Sequence, residues 1–256
     1  MNIIKIYSMR IRVGCCGLPE GLKRYSTKLR LTEINSTFYR LPRVETAEKW
    51  RESVPNDFIF TVKCHQAISH PTTSPTWRRS GLKEEELEKL KNKVGFLKPS
   101  KEVLDFWKKT LEICRVLESP ICLIQLPARF KDNEENIKNA NEFFETIERN
   151  EIKIAVELRG WNDENIRNLC EKFDLIDCRD PFASSPTYFG KSKIAYFRLH
   201  GKPPGERMYK YKYTDKDLKL LLKKIKSLRV KEVYCLFNNI WMFEDALRFQ
   251  SLLNKQ

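Results

Sequence analysis

Polar and apolar positions along this chain follow two periods, and the two periods take turns. Short runs rich in β-branched and aromatic residues alternate with period two: "RIRVG" (10–14), "LTEIN" (31–35), "FIFTVK" (58–63), "ICLIQL" (121–126), "IAVELR" (154–159), "LIDCR" (175–179), "IAYFRLH" (194–200) and "VYCLFN" (233–238). Each reads as a strand. Between most of them the apolar residues recur every three or four positions, as on an amphipathic helix. Such segments are "VETAEKWRESV" (44–54), "SKEVLDFWKKTLEICRVLE" (100–118), "NEENIKNANEFFETIERN" (133–150), "NDENIRNLCEKF" (162–173), "TDKDLKLLLKKIKSL" (214–228) and "FEDALRFQSLL" (243–253). Ser100, Asn133 and Thr214 stand where an N-cap is needed, and Asp217 completes an approximate capping box with Thr214.

Eight strand–helix units in 256 residues predict an α/β fold, a TIM-type (β/α)8 barrel forming one domain over 1–256. A doubly wound open sheet is the rival, but "GCCGLPEG" after the first strand lacks the G-x-G-x-x-G order. Two units are irregular. Segment 181–192, "PFASSPTYFGKS", predicts an irregular or missing helix between strands six and seven. Segment 65–99 is long and loop-like at its front. Met9 stands just before the first strand, so residues 1–8 read as an N-terminal extension outside the core.

Side chains at i and i+2 of a strand share a face. With the apolar set turned to the helices, the inward set becomes Glu33 and Asn35 on strand two, Lys63 on three, and Gln125 on four. Glu157 and Arg159 follow on five, Asp177 and Arg179 on six, Arg198 and His200 on seven, and Asn238 on eight. These polar groups gather at the strands' C-terminal ends, where barrels of this kind place their active sites. The expected catalytic groups are Glu157 or Asp177 as base and His200 as acid. Glu33, Asn35, Lys63, Gln125, Arg159, Arg198 and Asn238 are expected to bind substrate, with Tyr39 on the rim. Arginine forks suit a carboxylate or phosphate. A plug of ion pairs closing the barrel top is the competing explanation.

Composition adds a partner class. Lys and Arg total 48 against 34 Asp and Glu, a net charge of +14. That excess favours an anionic small molecule or a nucleic acid, with solvated Lys-rich helices as the plain alternative. In "GKPPGERMYKYKYTDKD" after strand seven, Lys202, Arg207, Lys210 and Lys212 interleave with Tyr209, Tyr211 and Tyr213. This pattern suits a phosphate or a nucleic-acid strand as well as it suits a surface edge.

No stretch of 18 apolar residues exists, so no membrane partner is expected. The apolar start is too interrupted for a signal peptide, and a cytoplasmic protein is expected. Eight cysteines without a C-x-x-C pair read as buried small residues, except Cys15 and Cys16 at a strand end, where redox or nucleophilic chemistry stays open. No metal ligand set and no obligatory cofactor are predicted. A divalent metal stays open, because His65, His70 and His200 with Glu33, Glu157 and Asp177 provide N/O ligands but no metal-binding spacing. The oligomeric state is not legible.

The motifs "EINSTFYRLP", "VKCHQAISHP", "LIQLPARF", "VELRGW", "YFRLHG", "YKYTDKDL" and "VYCLFNN" occur in an order that resembles the YecE-like family, domain of unknown function 72, from Val13 to about Leu253. The resemblance implies a TIM-type barrel and supplies no established reaction. The chain departs from the family at "GCCGL" (14–18), where Cys16 replaces the usual Ser and Leu18 the usual Trp, with a shortened first loop. It departs again at "IWMFEDA" after "FNN". The expected function is an enzyme, a hydrolase or isomerase acting on a phosphate- or sugar-bearing anion at the barrel mouth. The alternatives are a nucleic-acid-binding protein without catalysis and a small-anion-binding regulatory module.

Overall fold

The computed structural model describes residues 9–201 and 208–255. The expected extension at 1–8 and the loop residues Lys202 and Arg207 lie outside the described residues. Eight parallel strands close a barrel in sequence order: β1 (Arg10–Cys16), β2 (Leu31–Ile34), β3 (Ile59–Lys63), β4 (Ile121–Leu126), β5 (Lys153–Leu158), β6 (Ile176–Arg179), β7 (Ile194–Leu199) and β8 (Glu232–Phe237). β8 pairs with β1, with Cys15 opposite Phe237, which closes the ring. The strands begin and end within about two residues of the predicted runs.

Helices occupy the predicted amphipathic segments: α3 (Val44–Glu52), α6 (Lys101–Val116), α7 (Glu134–Thr146), α8 (Asp163–Phe173), α9 (Asp215–Lys226) and α10 (Met242–Leu253). Short helices fill other connections: α1 (Leu22–Tyr25), α2 (Ser36–Tyr39), α4 (Gln66–Ser69) and α5 (Glu84–Leu90). Local chemistry sets the starts. The Ser100, Asn133, Asn162 and Thr214 side chains accept from the backbone N–H three residues on. Each such cap contributes about 1 kcal/mol. Thr214 and Asp217 form the reciprocal capping box. The β6–β7 connection carries no helix and instead runs back along β6, with an Ile176–Phe189 bridge.

Two apolar layers result. Val62, Ile124, Val156, Phe197 and Cys235 face the helices, while Leu31, Leu123, Ala155, Ile176, Tyr196 and Leu236 fill the barrel interior. Burying each large side chain contributes roughly 1.5–3 kcal/mol. Gly14 permits the tight β1–β2 approach, since a Cβ there would lie 2.1 Å from the Leu31 carbonyl oxygen. All eight cysteines are buried and free, including Cys15 and Cys16, which the sequence reading sets apart. No helix among the described residues is long and apolar enough to cross a membrane.

Candidate active site

The inward strand residues change character along the barrel axis. Hydrocarbon gives way to hydroxyls and then to charge at the C-terminal ends. Arg198 on β7 sits at the centre and is only 1 % exposed. Its guanidinium donates to Glu33 Oε1 at 2.9 Å, Glu157 Oε2 at 2.7 Å and Gln125 Oε1 at 3.1 Å. Tyr196 donates to the other Glu33 oxygen at 2.9 Å, and its hydroxyl also lies 2.8 Å from Thr61 Oγ1. A buried pair is tolerable only when its remaining hydrogen-bonding capacity is filled, and these contacts do most of that. Burial acts to raise the Glu157 carboxyl, but the Arg159 and Arg198 guanidiniums outweigh it and hold that carboxyl well below the usual range. Glu157 is therefore a fixed anion and a poor base at neutral pH.

The outer part of the mouth is more accessible. Arg159 donates to Glu157 Oε1 at 2.5 Å, and its Nη2 lies 3.0 Å from His200 Nε2. A guanidinium only donates, so His200 Nε2 accepts and carries no proton. The imidazole proton then sits on Nδ1, which faces Asp180 Oδ2 at 3.4 Å. Asp180 is itself positioned by the backbone N–H groups of His200 and Phe182, at 2.8 and 2.9 Å. A cavity of about 370 Å3 opens beside this group, lined by Glu157, Arg159, Asp180, Ser184, His200 and Met208 among others. Grooves elsewhere on the helical exterior, such as that between α9 and α10, gather no strand-end groups.

Lys63, across the barrel on β3, is 8 % exposed. Its ammonium lies 4.0 Å from the centre of the Phe38 ring. Burial and then Arg198 push it down to about 8. Asn35 donates to the Cys16 carbonyl at 2.8 Å, while its own buried Oδ1 has no partner among the described residues. Tyr39 ends α2 with the Arg79 guanidinium 3.8 Å over its ring. Asn238 is half-buried at the end of β8, in phase with inward-facing Leu236.

Strand six corrects the sequence reading. Ile176 and Cys178 face the interior, so Asp177 and Arg179 face outward. Asp177 pairs with Arg179 at 2.8 Å and accepts from the Thr187 N–H and hydroxyl. It is a structural anchor for the returning loop and not a base in the mouth. The same phase carries Asp180 inward, and the strand assignment based on apolar-out alternation missed it.

His65 stacks on Phe106 at 4.3 Å and accepts from the Ala67 N–H, capping α4. His70 bonds Ser69 and meets the Phe38 ring edge-on at 4.9 Å. Burial lowers them to about 4 and about 3, so both are neutral. Among the described residues no cluster of three His, Cys, Asp or Glu forms a metal cage. Burial pushes the Cys15 thiol up to about 12 and raises Cys16 strongly, so neither is a poised thiolate. Tyr211 donates to Asp217, and the Tyr213 hydroxyl accepts from Gly201 N–H. Of the three alternating tyrosines, Tyr209 has the exposed ring.

A family model described as "Protein of unknown function DUF72" matches residues 16–256. The chain belongs to that family. This DUF72 chain is 37% identical over 60 residues to UPF0759 protein YecE of Escherichia coli strain K12, a match spanning 23% of the chain and 21% of that relative. It superposes on a DUF72 family protein of Enterococcus faecalis V583 with TM-score 0.69 and 21% identity, covering 97% of this chain and 99% of the other. Endonuclease IV of Thermus thermophilus shares the fold at TM-score 0.54 and 13% identity, covering 97% and 100%. These structural likenesses establish the barrel and leave the chemistry to the residues.

Proposed function

We propose that this DUF72 protein is an enzyme that binds a phosphate-bearing, sugar-like anion at the barrel's C-terminal mouth. The observation that carries this reading is the Asp180–His200–Arg159 relay. Asp180 Oδ2 lies 3.4 Å from His200 Nδ1, and His200 Nε2 lies 3.0 Å from Arg159 Nη2 beside a cavity. An incoming phosphate takes the partly exposed guanidinium, whose side chain is 29% exposed. His200 Nε2 then turns from accepting an Arg proton to accepting one from substrate or water. Glu33, Gln125, Glu157 and Arg198 act as the rigid floor that holds these groups in register.

Thermal-shift screening of phosphate monoesters, followed by product analysis, tests this. A ligand at one hundred times its Kd adds about 2.7 kcal/mol, which is roughly 5–10 °C for a chain of this size. Arg159→Met is expected to abolish the shift. If no phosphate ester stabilises the protein, the reading fails.

A second reading, nucleic-acid binding without catalysis, is favoured by one feature. Tyr209, Ile240 and Trp241 are exposed on adjoining loops, tied by the Ile240 N–H to the Tyr209 carbonyl at 2.8 Å. Lys212 lies 4.7 Å from the Trp241 ring centre and also pairs with Glu244. Such a rim stacks bases. Salt-sensitive quenching of Trp241 by single-stranded DNA, with no turnover of any phosphate ester, selects this reading.

A further inference from the structure

Among the described inward-facing cations at the strands' C-terminal ends, Lys63 alone reaches no carboxylate. Arg198 and Arg159 each reach a carboxylate. Lys63 is 8 % exposed, more than Arg198 or Glu33, yet its amine meets no hydrogen-bond acceptor among the described residues and rests against the Phe38 ring. A purely structural buried lysine is normally paired, because an uncompensated charge is costly. We propose that Lys63 is a nucleophile whose amine condenses with the carbonyl of a phosphate-bearing aldehyde or ketone sugar. The inference rests on the anion-binding reading of the mouth and names the substrate class for it.

The surroundings suit an amine that gives up its proton. Glu33 faces it from β2, Glu157 and Arg159 from β5, Arg198 from β7, and His70 from the segment after α4. Burial and the Arg198 charge act against the ammonium, and the two carboxylates only partly offset them because both already serve Arg198. With the group near 8, about one molecule in ten carries a neutral amine at pH 7, roughly 200-fold more than for an unperturbed lysine. Lysine suits this work where arginine does not, since its compact amine can lose a proton and attack.

The step balances without a co-reactant. The Nζ lone pair forms a C–N bond while the carbonyl π pair moves to oxygen. A proton passes from nitrogen to that oxygen. The hydroxyl then leaves with a second proton as water while C=N forms. Amine and carbonyl give imine and water, and nothing is oxidised or reduced. The phosphate stays on Arg159.

Borohydride trapping on the full chain tests it. Glyceraldehyde 3-phosphate is one arm, and a DNA oligonucleotide carrying a base-free deoxyribose is the other, since both offer an aldehyde on a phosphate-bearing sugar. The expected result is a borohydride-dependent mass gain equal to the probe less one oxygen, mapped to the peptide holding Lys63. It should disappear in Lys63→Met and Lys63→Arg and rise about five-fold or more between pH 7 and 9. The arm that labels identifies the source. An adduct that persists in Lys63→Met, or that forms equally with glyceraldehyde lacking phosphate, overturns the proposal. Calorimetry with inorganic phosphate separates the two readings. Phosphate binding without an adduct overturns the imine alone, and neither binding nor adduct overturns both.

Discussion

Replacing Arg198 with methionine leaves two carboxylates, Glu33 and Glu157, in a site where they are 0 % and 6 % exposed. Methionine fills similar space but supplies none of the donations to Glu33, Glu157 and Gln125. Removing one partner from a buried ion pair costs roughly 3–5 kcal/mol. For a chain of this length that corresponds to a fall in Tm of roughly 6–20 °C. The pH dependence is diagnostic. Glu157 is held low in the wild type, so its contribution is full above the unfolded carboxylate pKa and is lost only as pH falls through the depressed folded value. Without Arg198 that carboxyl rises, and protonation relieves it in mild acid. The gap between wild type and variant, read by differential scanning calorimetry, therefore narrows from about pH 8 to about pH 5. A variant within about 1 °C of wild type, or a gap that widens in acid, refutes the reasoning that this network is both buried and mutually compensated.

Lys63→Met should behave in the opposite sense. The ammonium is pushed down to about 8 in the fold and returns to its ordinary value in the unfolded chain, so it costs stability on the order of 3 kcal/mol below pH 8. The variant's Tm is expected to exceed wild type at pH 7, with the gain shrinking as pH rises from about 8 to about 10; a lower Tm at pH 7 contradicts this. Asp180→Asn keeps the shape but replaces an acceptor with an amide, which permits the other His200 tautomer. Nitrogen-15 NMR of that ring should show the Nδ1–H form losing its dominance, and an unchanged spectrum counts against the relay.

The alternation of periods was enough to read the barrel, because strand and helix patterns follow from burial on opposite sides of one sheet. Lys63, Gln125, Glu157, Arg198 and His200 were legible for the same reason: their strands carry an unbroken apolar set packed on helices, while Glu33 rested on outward Ile34 alone. Strand six failed because that premise fails there. No helix follows it, and the loop lying along its outer face offers Thr187 and the Tyr188 carbonyl. Asp177 and Arg179 are satisfied outside, and Ile176 and Cys178 fill the interior. Asp180 was hidden by the same inversion. The roles of His65 and Tyr213 depend on contacts with Phe106 and Gly201, 41 and 12 residues away, which local periodicity does not encode.

The central claim is that His200, held by Asp180 and facing Arg159, answers to an anion in the mouth. The chain has three histidines, and burial holds the other two neutral. Titrating nitrogen-15 histidine-labelled protein with a phosphate monoester tests the claim directly. The account predicts that the His200 Nε2 resonance moves with saturation, that His65 stays fixed, and that Arg159→Met abolishes the response. A His200 resonance that does not move while phosphate binds elsewhere contradicts it.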